Sequence, residues 1–294
     1  VIGYKGFDEN LRCCGFQYEI GGEYQHDGKV EVCEQGFHFC ENPLDVLNYY
    51  APGTSRYAVV EGSGDTDRMP DDDSKVACSH LKVVAELTLR DLIQAGVEFV
   101  LETAAAKGAA AATDYGAHAV TTGPRTHAVT AGPYAHAVAT GGDAYAVTAG
   151  PGAHAVTAGY RAHAVTADPY AHAVTAGPCA HAVTAGPEAH AVTADYGAHA
   201  VTTGYRAHAV TAGPEAHAAA TGKESIAAGL GVAGRAKGAL GCWLVLAEYK
   251  WTEGDEYQIA AVKAVKVDGK RIKPDTWYEL QGGRFVEVVE DEGW

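Results

Sequence analysis

The sequence predicts a mainly β chain. At its centre is a nonapeptide-repeat parallel β-solenoid, flanked by a small α+β N-terminal domain with a capping helix and by a C-terminal β meander. Three observations carry this. First, a unit of the form His-Ala-Val-Thr-Ala-Gly-Pro-x-Ala recurs every nine residues without insertion. It opens at His118, His127, His136, Tyr145, His154, His163, His172, His181, His190, His199, His208 and His217. A fixed short period gives every unit an equivalent place in a stack. Second, each unit joins a β-branched pair to a Gly-Pro or similar turn, which suits one short strand and one tight turn and disfavours a helix. Third, both flanks lack the repeat and read as folded ends, which a solenoid needs to shield its terminal coils.

Taken in order, residues 1–88 form the small mixed domain. Phe16–Ile20, Val30–Cys33, Tyr57–Val60 and Leu81–Leu87 read as strands between turn pairs such as Gly21-Gly22 and Asp27-Gly28. Glu41–Tyr50 reads as a short helix and Gly62–Ser74 as an exposed acidic loop. Residues 89–107 form an amphipathic helix. Thr88 and Asp91 open it as a capping box, Leu89, Leu92, Ile93, Val97, Val100 and Leu101 follow at helical spacing, and Lys107-Gly108 closes it. This helix is expected to cover the first coil.

Residues 108–238 form the solenoid. Two units per coil give a flattened two-sheet roll of about 18 residues per coil, and the clear units make about six coils. Ser225–Ala227 and Gly234–Ala236 still hold the register as degenerate units. Residues 239–294 form the meander, with strands at Cys242–Tyr249, Tyr257–Val267, Trp277–Leu280 and Phe285–Val289 and hairpin turns at Asp268-Gly269 and Gly282-Gly283.

Numbering a unit from its His as position 0, the Ala at position 1 never varies, which argues for a crowded interior. Alternation along a strand then sends Ala and Thr inward and His and Val outward. The inward Thr hydroxyls are expected to pair along a ladder or with the backbone. The Gly or Asp at position 5 is expected to take the positive φ of the turn. The twelve ring positions named above become an outward ladder, and the Val beside them an exposed apolar stripe of the kind that marks contact surfaces.

The formal charge is -15, of which residues 117–222 carry only three Arg against five acidic residues. An acidic chain without a basic cluster is expected to have no nucleic-acid partner. No apolar run approaches the length of a membrane span. No secretory signal is visible, and with Val1 first a processed leader stays open. The seven cysteines, Cys13, Cys14, Cys33, Cys40, Cys78, Cys179 and Cys242, lack a zinc spacing and read as thiols rather than disulfides or ligands. The repeat histidines lack a recurring carboxylate to orient them, so no metal site and no cofactor are assigned. O-linked glycans on the many Thr stay open.

No catalytic motif is present, and no catalytic residue is assigned. Tyr4-Lys5-Gly6-Phe7, then Gly36–Cys40 and Leu44–Tyr50, resembles the core of ADP-ribosyltransferases, without its first-strand His or a suitable Glu. The flanks resemble an uncharacterised family of bacterial and phage proteins more specifically. The resemblance rests on Tyr4–Asp8, on Gly36–Tyr50, and on Gly241–Glu248 with Val265–Lys270, and it covers roughly residues 1–105 and 238–294. Such relatives carry similar ends around short Thr/Ala/Gly repeats. This chain departs from them in having His and Val where they tend to have Ala and Thr. The resemblance implies no assigned activity.

The expected function is structural: a self-assembling β-solenoid whose partner is itself. In its filament form, head-to-tail contacts join the terminal domains, with Trp243, Trp251, Trp277 and Tyr278 at the junction. A filament implies an extracellular place or a cell or virion surface. One alternative is a monomeric phage or bacterial binding module with an adhesin-like or ice-binding surface. The other is a degenerate ADP-ribosyltransferase-like enzyme in the first domain.

Overall fold

In the parallel roll, residues eighteen apart in sequence lie side by side. His136 pairs with His118 and His154, and His163 with Tyr145 and His181, so each coil holds two nonapeptides. The computed structural model describes residues 1–50, 55–68, 74–89, 91–96, 98–99, 110–252 and 256–288. The chain divides into two compact units, Val1–Phe99 and Val100–Trp294.

The first unit is a small antiparallel β structure that closes on itself. Its strands are β1 (Ile2–Phe7), β2 (Arg12–Cys13), β3 (Phe16–Gln17), β4 (Glu23–Gln25), β5 (Phe37–Cys40), β6 (Arg56–Arg68) and β7 (Lys75–Leu87). The sheet runs β4-β7-β5-β1-β6, and β6 pairs back onto β7. Phe7, Phe39, Val60, Val76, Cys78 and Val83 fill it.

Several expectations need correction here. The short strands foreseen at Tyr57–Val60 and Leu81–Leu87 belong to one long hairpin. Strand β6 runs on to Arg68, through much of the expected loop; residues 69–73 lie outside the described residues. In β6 the apolar run marks only the buried half, because its far half is exposed and polar. Val30–Cys33 is not a strand, and of the run Phe16–Ile20 only Phe16–Gln17 pairs. The helix at 41–50 is a 3-10 turn, Pro43–Asn48, capped by the Asn42 side chain on the Leu44 N–H. Beyond it, residues 89, 91–96 and 98–99 are helical. Thr88 and Asp91 form the expected reciprocal cap, Asp91 N–H donating to Thr88 Oγ1 at 3.2 Å and Thr88 N–H to Asp91 Oδ2 at 3.1 Å. Leu92 and Ile93 are buried, and Gly96 abuts Leu44, so this segment packs within the first unit. Residues 100–107 of the expected cap lie outside the described residues.

The second unit is the roll. It starts at β8 (Ala110–Ala112). Twelve repeat strands follow, from β9 (His118–Thr122) to β20 (His217–Ala220), and then β21 (Ile226–Gly229) and β22 (Arg235–Gly238). Odd-numbered strands form one sheet and even-numbered strands the other. The roll is thus about eight coils, the six of the clear units extended by the degenerate units at Ile226 and Arg235, which pair in full register. The core between the sheets is a column of Ala, including fully buried Ala146 and Ala173, beside a column of buried Thr. Methyl-sized residues suit two sheets that must approach along every coil. The expected hydroxyl ladder does not form. Thr130, Thr148, Thr157, Thr166, Thr175, Thr184, Thr193 and Thr202 bury Oγ1 without a hydrogen-bond partner.

The turns also differ from expectation. The left-handed residue sits at position 7, where Arg125, Tyr134, Glu188 and Glu215 have φ of 56°, 55°, 54° and 53°. At position 5 only Gly123 and Gly141 take the expected positive φ, of 120° and 144°, and glycine there chiefly serves close approach. A Cβ on Gly150 or Gly204 would strike the carbonyl oxygen of Gly132 or Gly186, one coil earlier. Each turn is stapled to the next coil, as in Tyr134 N–H to Pro151 O at 2.9 Å and Glu188 N–H to Tyr205 O at 2.8 Å. That staple holds non-glycine residues in a conformation that otherwise costs about 1–2 kcal/mol.

The C-terminal segment is not a free-standing meander. Strand β23 (Trp243–Trp251) continues the odd sheet in parallel register, and β24 (Tyr257–Lys266) folds back antiparallel on it. Strand β25 (Tyr278–Gln281) adds antiparallel to β22, followed by β26 (Arg284–Glu287). Gly282-Gly283 is the expected hairpin turn. Asp268-Gly269 instead carries the chain from one sheet to the other, with Asp268 Oδ1 accepting from the N–H groups of Lys270, Arg271 and Ile272. Leu244, Leu246, Val267, Ile272, Tyr278 and Leu280 close the end of the Ala core. Glu248 ties the two hairpins together by accepting from the N–H of Gly282 and Gly283.

Candidate functional site: the ring columns of the roll

Parallel in-register pairing stacks identical side chains, so the repeat ring becomes two columns. On the odd sheet, His118, His136, His154, His172, His190 and His208 stack with centroids 4.8–5.0 Å apart and planes within 20°. On the even sheet the column is His127, Tyr145, His163, His181, His199 and His217. Its spacing is 4.6–5.1 Å, with planes within 11° until His217 turns 72° from His199. Trp277 ends this column 5.0 Å from His217.

The two columns live in different surroundings. On the odd sheet the outward residues remain partly open: Val120 is 59% exposed, and His154, His172 and His190 are half-buried beside half-buried Val. On the even sheet Val129, Val147, Val165 and Val183 have no exposure, Tyr145 has 3% and His163 has 4%. At the C-terminal end of that sheet Trp277 packs over Val201 and Ala219, with the Lys237 ammonium 4.6 Å from its ring. The contrast lies in the Val positions and in Tyr145 and His163; the other even-sheet rings, His127, His181, His199 and His217, are part-exposed like those of the odd sheet.

Burial decides the protonation chemistry. It pushes His163 down to about 3, helped by Arg161, and His217 to about 3, helped by His199, Arg235 and Lys237. His199 falls to about 4 by burial with Lys237 nearby, and His181 falls well below its ordinary value by burial and its neighbouring imidazoles. On the open side burial and adjacent imidazoles lower His154, His172 and His190 as well. The nitrogen lone pairs of stacked rings lie in parallel planes and do not converge. Among the described residues no group of three or more His, Cys, Asp or Glu could hold a metal ion.

The four aromatic residues expected at a junction between copies separate into two pairs. Trp243 and Trp251 are 44% and 58% exposed. Trp277 and Tyr278 are buried within the chain, Tyr278 in the closing core and Trp277 over the even column. The C-terminal segment has no separate core; it shares that of the roll.

Sequence reading missed a cluster in the first unit. All seven cysteines are free thiols. The Cys13 Sγ accepts from the Tyr50 hydroxyl at 2.8 Å and from Lys5 Nζ at 3.4 Å, and Cys14 Sγ is 3.9 Å away. Lys5 is only 4% exposed. It also donates to the His38 carbonyl at 2.7 Å and lies 5.4 Å from the Tyr18 ring centroid. The signals in the sequence were a lysine in an apolar strand and the adjacent Cys13-Cys14 pair.

Residues 1–95 match the model of a domain of unknown function, DUF7666. This agrees with an uncharacterised family defined by its N-terminal domain. No curated protein and no solved structure matches the chain.

Proposed function

We propose that the chain is a structural, self-associating repeat protein in which the open face of the odd sheet docks on the same face of a second copy. The observation behind this is the contrast between the two columns. The Val positions that are shut from water on the even sheet, together with the ring positions of Tyr145 and His163, remain partly open on the odd one, over a regular run of strands. A column of evenly spaced Val is its own complement under a two-fold axis, as an isologous contact requires. Charge favours this place too. The repeat region is nearly neutral, whereas the flanks hold most of the acidic excess and repel their own kind. A two-fold contact closes on itself. A filament needs a second contact, and the exposed Trp243 and Trp251 are the residues for it, in place of buried Trp277 and Tyr278.

The test is sedimentation velocity over a wide concentration range near neutral pH, on the whole chain and on Val156→Lys with Val174→Lys. The expected result is a concentration-dependent mass that the lysines abolish. It should also fall on acidification below the ordinary imidazole range, because burial and adjacent imidazoles lower His154, His172 and His190 and stacked imidazolium rings repel. A concentration-independent monomer would overturn the reading and favour a binding module acting alone. Association that survives both lysines but fails with Trp251→Ser would move the contact to the C-terminal end.

A further inference from the structure

The cluster around Cys13 is independent of the roll. Three separate segments build it: Lys5 from β1, Cys13 from β2, and Tyr50 just past the 3-10 turn. A buried ammonium is costly unless paired. Among the described residues no carboxylate pairs with Lys5; its partners are the His38 carbonyl, the rings of Phe7 and Tyr18, and the Cys13 sulfur. The acidic group within its reach is therefore the Cys13 thiol. Tyr50 presents a second donor to that sulfur, and its own hydroxyl is pushed up, first by burial and then by Cys13, so it stays a donor.

We infer that Cys13 is a nucleophilic thiol activated by Lys5 and Tyr50, and that it is a covalent modification site for small uncharged electrophiles, hydroperoxides among them. Burial opposes the thiolate, but the Lys5 charge and the hydrogen bonds from Tyr50 and Lys5 outweigh it, and Cys13 titrates below the ordinary thiol range. Cys13 is half-buried, so a small reagent can reach it while bulky or charged ones are disfavoured. With a hydroperoxide the sulfur attacks one peroxide oxygen. The S–O bond forms as the O–O bond breaks, sulfur is oxidised to a sulfenic acid, the peroxide is reduced, and the departing alkoxide or hydroxide takes its proton from water. The neighbouring Cys14 is more exposed and is pushed the other way, chiefly by the Cys13 charge, then by burial. It is a control within the same chain.

The experiment is alkylation by iodoacetamide at a series of pH values, read at each cysteine by peptide mass spectrometry on the folded chain. At pH about 6.5, Cys13 is expected to react at least about ten times faster than Cys14, since rate follows thiolate fraction. Tyr50→Phe should slow Cys13 several-fold with an unchanged melting temperature, Lys5→Met should slow it further, and Lys5→Arg should restore part of the rate. If Lys5→Met does not fold, Tyr50→Phe and the comparison of Cys13 with Cys14 decide. Cys13 and Cys14 sharing one pH profile, or Cys13 reacting only in denaturant, would overturn the inference. For the peroxide step, hydrogen peroxide followed by dimedone should label Cys13, and no label there would remove hydroperoxides from its substrates.

Discussion

The two outer faces of the roll are written in the same nine residues, yet they differ. Strand His154–Thr157 leaves His and Val half-buried, while His163–Thr166 buries all four residues. The repeat period specifies the strand, the pairing and the inward side, because those depend on neighbours that are themselves repeats. At Val201 and Ala219 the outward side is closed by Trp277, a residue outside the repeats. One consequence is chemical: identical imidazoles differ in how readily they take a proton.

The largest expected effect comes from acid. A neutral imidazole is favoured on the even face, while in the unfolded chain the value is near 6.5. Above about pH 6.5 neither state takes the proton and stability is unaffected. Below it the unfolded chain binds protons that His163, His181, His199 and His217 refuse. Each then costs about 1.4 kcal/mol per pH unit until its folded value is reached, so His163, His199 and His217 together remove up to about 6 kcal/mol by pH 5, and His181 acts in the same direction. Urea melts from neutral pH downward should show this loss, and His163→Leu with His199→Leu should blunt it. A midpoint that stays flat to pH 4.5 would break the contrast between the faces.

Next in size, Val165→Lys should destabilise by about 3–5 kcal/mol, because it buries an unpaired ammonium. Val156→Lys on the open face should stay within about 0.5 kcal/mol. Chemical denaturation of the two variants reads the difference directly, and equal costs would mean that the faces are alike.

Two smaller effects should be indifferent to the face, because they act in the shared core. Ala146→Leu and Ala173→Leu lie on opposite sheets, and each should overpack the roll at about 1–3 kcal/mol. Thr166→Val and Thr175→Val remove buried hydroxyls that have no partner, and each should stabilise by about 1 kcal/mol. A loss of stability at either Thr would show that the hydroxyl is satisfied after all.

The roll was legible because its signal is repeated: Ala at position 1, Val-Thr and the turn recur in every coil. The turn conformation was not, since sequence reasoning places positive φ on Gly and Asp, whereas the coil-to-coil staple forces it on Arg125, Tyr134 and Glu188. The C-terminal segment was legible as strands but not as an extension of the roll, because nothing local says that Trp243–Leu246 pairs with Ile226–Gly229. Cys13 could not be assigned a role from sequence, since Tyr50 is thirty-seven residues away and reaches it only through the fold.

The pairing of two nonapeptides per coil bears on how such a chain can change length. Its repeat region is a run of near-identical nine-residue segments, and only the gain or loss of whole segments keeps the register. Gaining two segments lengthens the stack by one full turn and leaves the terminal hairpins on the same side relative to β8. Gaining one turns them by half a revolution, so that Trp277 closes over what was the other side. Even steps in length therefore keep Trp277 over the same sheet, and an odd step would move it to the other in a single event.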